Sequence, residues 1–546
     1  MLVVALGWQI VTFNGFPNDH YFHVALARQL LVGDRPVRDF VDAGAPMTYV
    51  LSAIARWWFG DVSIGELLIV ALGVAIGAAA TVVAGSWLAR SVIVGGGVAL
   101  LQVLASPRSY SYPKLLLYGV AGCVIVALAA QASRTRLLVA AALTAVAFLM
   151  RHDHGLYIGV ACAAAIALRA PDLANAARRL SLLAAGVVVL LAPWAAWVQH
   201  YQGLIPYFQT GISVSRREAD ISVLRDWPQL QPSAGLNAAN SEAWLYYLFY
   251  ALPIVCLGLG IWRRVTARET WPGESAAVAA LSVLALAVDA GFLRNPLATR
   301  LPDATVPACL LGAWLVGIAF RSQTSTFTVR VAMRAAAAVA LVVTSLSVWV
   351  VGDVHDKLDE AGAFDDWEHV REHARVLWRV AHRQERDVRK YPSRVSAALA
   401  PFYLYLERCS APTDRMLVSG SYPDVFVLAR RGFAAGHIAF RLGYYGSDAD
   451  QTLMVSRMQH ESVPFVLLVL DEQAAFEGGF PKLVSYITSA YDVMADLPVE
   501  GMQGVRVMVE RQRRREGVDS STGWPCFSTQ APSLRPQAPA LGPSRS

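Results

Sequence analysis

Long apolar runs separated by short polar stretches dominate the first two thirds of the chain. They fall near 2–17, 64–89, 92–106, 113–131, 137–150, 155–168, 180–200, 244–262, 275–293, 303–320 and 331–351. A helix needs about 20 apolar residues to cross the hydrocarbon core of a bilayer, so the pattern predicts about eleven transmembrane helices. The first run lacks a basic flank and a small-residue cleavage pattern, which predicts a retained segment. Loop 18–63 holds an amphipathic stretch, Tyr21 to Leu31, and a second apolar run, Met47 to Phe59. Both are expected to lie as helices along the membrane interface, with Trp57 and Trp58 at headgroup level. Past 351 the pattern changes. Residues 353–390 are charged with helical spacing. After them, β-type runs (Met416–Ser419, Phe465–Leu470, Val505–Glu510) alternate with helix-like ones (Ser393–Arg408, Pro481–Ala490), which predicts a small α/β domain. Residues 511–546 open on Arg-Gln-Arg-Arg-Arg, are rich in Ser and Pro, and are expected to be disordered. The fold class is therefore an all-α polytopic membrane domain, 1–351, followed by a helical linker with a small α/β domain, 352–510, and a tail.

Composition narrows the class. Of 546 residues, 55% are hydrophobic and 16% are charged, against about 25% charged in soluble domains. That balance excludes a disordered chain, a collagen, a coiled coil and a compact cytosolic enzyme. The net charge of +6 would suit nucleic acid only if it formed a basic face. Instead the Arg residues sit in alternate loops: Arg90; Arg134 and Arg136; Arg169, Arg178 and Arg179; Arg263, Arg264 and Arg268; Arg321 and Arg330. The positive-inside rule makes those loops cytoplasmic. The N-terminus is then cytoplasmic, and loops 18–63, 107–112, 151–154, 201–243 and 294–302 face outward, as does everything after 351. Nucleic acid is not an expected partner; membrane lipid is. Cys123, Cys162, Cys256 and Cys309 lie inside apolar runs, where Cys acts as a small hydrophobe. Cys409 and Cys526 lie outside them and are free to pair in an oxidising compartment.

The outward loops carry the ionisable residues that orientation does not use. Asn18-Asp19-His20 follows the first run, Lys114 opens the fourth, and Arg151-His152-Asp153-His154 follows the fifth. Arg300 and Asp303 flank the tenth, while Asp39 and Asp42 lie in the first loop. Ionisable groups at a bilayer boundary are costly unless paired or lining a wet cavity, so together they mark a candidate site. A carboxylate such as Asp19 or Asp153 can take a proton from a hydroxyl as general base. Lys114, Arg151 and Arg300 can hold and neutralise a phosphate, with Arg offering a two-pronged fork. His20, Asp39, Asp42, His152, His154 and Asp303 are placed as acceptor-binding or supporting residues.

The segment Asn18-Asp19-His20-Tyr21, with Gly33-Asp34-Arg35-Pro36-Val37-Arg38-Asp39-Phe40-Val41-Asp42-Ala43-Gly44-Ala45-Pro46, resembles the first outer loop of bacterial GT-C superfamily membrane glycosyltransferases. These include the protein-mannosyltransferase-like and aminoarabinose-transferase-like enzymes. Arg151-His152-Asp153-His154-Gly155 and Arg300-Leu301-Pro302-Asp303 are similar to segments of uncharacterised members. The resemblance covers about 1–350 and implies a GT-C-like body with an outer α/β domain. It also implies inverting transfer of a sugar from a polyprenyl-phosphate donor to a hydroxyl on a glycolipid, polysaccharide or protein, outside the bacterial inner membrane. Asp19 matches the first-loop acid that serves as base, and Lys114 matches a basic residue near the rim that holds the donor phosphate. Many members carry two adjacent acids where this chain has Asp19 alone between Asn18 and His20. No cofactor is implied beyond an optional divalent cation.

Other readings compete. A transporter or lipid flippase with an accessory outer binding domain is the alternative function, but that class expects charges near the bilayer midplane. Asp289 is the clearest acid within a run. His369-Val-Arg-Glu372-His373 fits a zinc-binding spacing on a helix, although the surrounding charge favours a solvated face. Gly420-Ser421-Tyr422-Pro423, after a β-type run, reads as a turn in preference to a phosphate cradle.

Overall fold

In the computed structural model the chain is described for residues 1–13, 15–42, 44–105, 109–221, 228–267, 273–290, 301–321, 327–382 and 391–527. Every one of the eleven apolar runs is helical over most of its described length. Among the described residues six helices are long and apolar enough to cross a membrane: Ser63–Ala89, Tyr112–Ala130, Leu173–Tyr201, Ala238–Arg263, Ala304–Arg321 and Phe327–Val351. Leu2–Val11 and Val92–Leu104 are shorter apolar helices. The contacts divide the chain into two units. One comprises Met1–Asn14, Leu67–Ala192 and Ala219–Trp378; the other comprises Gly15–Glu66, Pro193–Glu218 and Arg379–Ser546.

The first unit is helical. A close crossing joins Ser63–Ala89 to Tyr112–Ala130 at Gly77 and Gly119, where an added Cβ would stand 2.4 Å from a carbonyl oxygen of the other helix. Small residues at such crossings let backbones approach, because lipid supplies no hydrophobic drive between apolar helices. At another level, Glu274 accepts from Trp314 at 2.9 Å and pairs with Arg90 and Arg321 at 3.0 and 3.3 Å. An apolar cavity of about 340 Å³ is lined by residues such as Leu101, Phe249, Leu252, Leu341 and Val348.

The second unit is built on a mixed sheet. Its strands are β1 (Arg415–Val418), β2 (Gly432–Phe433), β3 (Phe465–Val469), β4 (Tyr491–Leu497) and β5 (Val505–Glu510), in the order β2-β1-β3-β5-β4. β2, β1 and β3 are parallel, and β5 and β4 run antiparallel to their neighbours. Side chains alternate between faces with period two. Met416, Val418, Phe465, Leu467, Val505, Val507 and Val509 enter one core; Leu417, Val466 and Met508 enter the other. Helices Pro423–Ala429 and Ala400–Cys409 cover the first face, and Asp448–His460 and Pro481–Ala490 cover the second.

Loop 18–63 belongs to this unit and forms helices Asn18–Leu31 and Pro46–Phe59. Tyr21, Val24, Ala25 and Leu26 enter the first core, so the amphipathic face expected at a membrane surface is covered by protein. Pro46–Phe59 differs, leaving Ile54, Trp57 and Trp58 exposed. Ion pairs fix the loop to the sheet. Asp34 pairs with Arg415, and Asp61 is shared among Arg28, Arg56 and Arg430. Burial opposes ionisation of Asp61, but the three guanidiniums outweigh it and hold its carboxyl below the usual range.

The segment expected to be a disordered tail is folded as far as Phe527. Gly517–Val518 and Pro525–Cys526 pair antiparallel, Cys526 is disulfide-bonded to Cys409, and Phe527 is buried in the first core. Arg408 reaches Asp519 with two bonds of 2.9 and 3.0 Å. Composition suggested disorder because it averages over residues; here Cys526, Trp524 and Phe527 carry the docking. Residues 528–546 lie outside the described residues.

Candidate functional site

In the first unit the structure brings four of the expected residues together. Helices Tyr112–Ala130 and His152–Arg169 are packed side by side, and each starts at the level of the cluster. Pro113 suits the first turn of Tyr112–Ala130, where its missing N–H leaves no bond unmade. Lys114 follows it and is only 6% exposed. Arg151 is the extended residue before His152–Arg169 and pairs with Asp153 at 2.9 Å. Asp153 caps locally, accepting from the His154 backbone N–H at 2.9 Å. The charges that bear on Asp153 are those of Arg151, His154 and Lys114. His154 is buried and its Nδ1 lies 2.8 Å from the Tyr118 hydroxyl, one turn below Lys114. The result is a carboxylate beside Arg151 and Lys114, at the positive ends of two helices.

His152 does not join them. Its ring stacks on Phe148 at 4.3 Å, and Nδ1 lies 2.8 Å from the Phe148 carbonyl. Arg300 lies outside the described residues. Asp303 falls in helix Leu301–Arg321, and its side chain is likewise outside the description.

The first-loop candidates lie in the second unit. Asp19 is exposed in the first turn of Asn18–Leu31. Its neighbour His20 is buried, with Nε2 3.1 Å from Glu66, and Glu66 also accepts from the Ser52 hydroxyl at 3.0 Å. Phe16 stacks on the His20 ring at 4.2 Å. Asp39 is held by Arg38 through bonds of 2.9 Å and by the Arg35 backbone N–H at 2.8 Å. Asp42 accepts from the hydroxyls of Tyr49 and Tyr207 at 3.2 and 2.9 Å. Burial first, and then the nearby Asp42 charge, raises the Tyr207 phenol far above its usual value. Asp39 and Asp42 thus stiffen the loop, whereas Asp19 stays open to solvent.

Sequence reasoning missed Glu66, Ser52, Tyr118 and Tyr207. Glu66 had a signal, an acid just inside an apolar run. The tyrosines had none, since their partners are distant in sequence. The zinc spacing is not used as such: His369 pairs with Asp366 at 3.0 Å, and His373 Nε2 lies 2.9 Å from the Val11 carbonyl. Among the described residues no group of three His, Cys, Asp or Glu side chains is placed to hold a metal.

The chain is thus an apolar, mostly helical protein of membrane-spanning character with a small α/β unit. Compared with solved structures, it aligns over 93% of its length with 96% of ArnT from Cupriavidus metallidurans bound to undecaprenyl phosphate, at 14% identity and a TM-score of 0.49. No family model matches the chain, and no curated protein does.

Proposed function

We propose that the chain is a membrane glycosyltransferase that moves a sugar from a polyprenyl-phosphate donor to an acceptor hydroxyl on the outer face of the membrane. The observation that carries this reading is the cluster of Lys114, Arg151 and Asp153 at the starts of two adjacent helices. A buried Lys, an Arg fork and two helix N-termini are the groups that hold a phosphate and neutralise its charge as it leaves. Asp153 orders the cations. The first-loop resemblance to GT-C glycosyltransferases supplies the second support. In the proposed step the acceptor oxygen attacks the anomeric carbon, the bond from that carbon to the phosphate oxygen breaks, and Asp19 takes the hydroxyl proton. The anomeric centre inverts and polyprenyl phosphate leaves. Asp19 suits the role because it is exposed, unlike Asp39 and Asp42.

The test is transfer from polyprenyl-phosphate sugars by the purified chain in nanodiscs. Lys114→Ala is expected to lower kcat/KM about a hundredfold or more, the scale on which one preorganised charge donor acts. Asp19→Ala is expected to lower it about 10²–10⁴-fold, the range for general-base catalysis. Full activity in both variants would remove the assigned site. Lipid crossing proteoliposomes without covalent product would favour the transporter reading.

A further inference from the structure

The parallel half of the sheet makes a second place where a ligand fits. The chain leaves β1 through helix Pro423–Ala429 on one face, pairs as β2, then returns through Asp448–His460 on the other face to β3. β2 and β3 therefore flank β1, and the crossover reverses direction at the carboxyl ends of β1 and β3. In open α/β sheets that reversal leaves a crevice, which is where such folds bind ligands.

The residues at this crevice have the matching signature. The loop after β1 carries Ser421 and Tyr422, and the loop after β3 carries Glu472; the Tyr422 hydroxyl donates to Glu472 at 2.8 Å across the two. Asp424 is fully buried. Its Oδ2 accepts from Ser393 at 2.6 Å, and Ser396 and the Val425 backbone also bond the carboxylate, while its Oδ1 has no partner in good geometry among the described residues. Tyr403 is 4% exposed and lies within electrostatic reach of Asp424; among the described residues its hydroxyl is also unpartnered, as is that of Ser421. A buried polar atom without a partner costs about 1–3 kcal/mol, so each of these atoms would gain from a ligand group that bonds it. Among the described residues neither Asp424 nor Glu472 is paired with Lys or Arg. The Glu472 carboxylate also sits against Gly420, where a phosphate would need the backbone: an added Cβ there would stand 2.0 Å from its oxygen. The crevice thus repels phosphate and offers acceptors, hydroxyls and a phenol ring.

We propose that this crevice binds a saccharide free of phosphate, through vicinal hydroxyls and, where the sugar carries one, an amino group. The inference does not depend on the transferase reading, since it uses none of Asp19, Lys114, Arg151 or Asp153. It can be tested by saturation-transfer NMR on the full chain in nanodiscs, with glucose, glucosamine and glucose 6-phosphate as probes. Glucose and glucosamine are expected to bind and glucose 6-phosphate not to. Tyr403→Phe, Ser421→Ala and Asp424→Asn are each expected to weaken binding about tenfold, the worth of one hydrogen bond left unmade. Should Asp424→Asn fail to fold, the other two variants carry the test, because they remove a hydroxyl and keep the shape. Binding unchanged in these variants, phosphorylated sugar bound as well as glucose, or no signal at millimolar sugar would each overturn the proposal. Loss of sugar binding with transfer to small acceptors intact would separate this crevice from the proposed catalytic residues.

Discussion

His437 shows how far a side chain's surroundings move its chemistry. It is buried beside Phe440 and Tyr445, and burial first, then the Arg457 charge, brings its imidazole down from 6.5 to about 3. In the unfolded chain the imidazole takes up a proton as pH falls through 6.5, while in the folded chain it stays neutral to about 3. Between those values the unfolded state holds more protons, so stability falls as pH drops. One such group contributes a slope of up to about 1.4 kcal/mol per pH unit. Thermal midpoints measured from pH 7 to pH 4 should therefore decline, and His437→Gln should flatten the decline by about one proton. An unchanged slope in the variant would show that the imidazole is protonated in the fold. Nothing in the local sequence, Ala-Gly-His-Ile-Ala, announces this behaviour, because Arg457 arrives from helix Asp448–His460.

Elements were the most legible scale. Each apolar run became a helix, and the short β-type runs at Met416–Ser419, Phe465–Leu470 and Val505–Glu510 became the three central strands, because pattern is local and burial follows it. What stayed hidden were facts that require two distant segments. The first loop looked interfacial because Tyr21 to Leu31 is amphipathic, yet the pattern cannot say whether lipid or protein covers the apolar face. Its union with the sheet depends on pairs such as Asp34 with Arg415, 381 residues apart. The candidate site was legible in part: Lys114, Arg151, Asp153 and His154 do gather, but His152 one residue away does not. Glycines give the sharpest test at this scale. Gly77 sits at a helix crossing with no room for a Cβ, whereas Gly96 has nothing within 4 Å of one. Gly77→Val is expected to lower the thermal midpoint in detergent and the yield of folded protein, by a cost of roughly 1–3 kcal/mol for overpacking. Gly96→Ala should leave both unchanged or slightly improved, since Ala is the better helix former. Equal effects of the two would mean that the close crossing does not limit stability.

Across the whole molecule, the sorting of charge and the placement of cysteine make one argument. Arg in alternate loops sets the expected orientation, and that orientation puts residues after 351 outside the cytoplasm. A disulfide joins Cys409 to Cys526 across 117 residues, while Cys123, Cys162, Cys256 and Cys309 remain free. Disulfides persist in oxidising compartments and are reduced in the cytosol, so the pairing and the Arg pattern point the same way by independent physics. Closing a loop of this length stabilises by roughly 4–5 kcal/mol in the chain-entropy account. The bond also pins a segment whose composition favours disorder: the Phe527 backbone N–H donates to the Cys409 carbonyl at 3.0 Å. Membranes containing the full chain, denatured without reductant and treated with a maleimide-PEG, should show four modified thiols, rising to six of six cysteines after reduction. Cys409→Ser should lower the thermal midpoint and expose the chain after residue 510 to protease. Six reactive thiols before reduction would place the α/β unit on the reducing side and reverse the orientation that the loops imply.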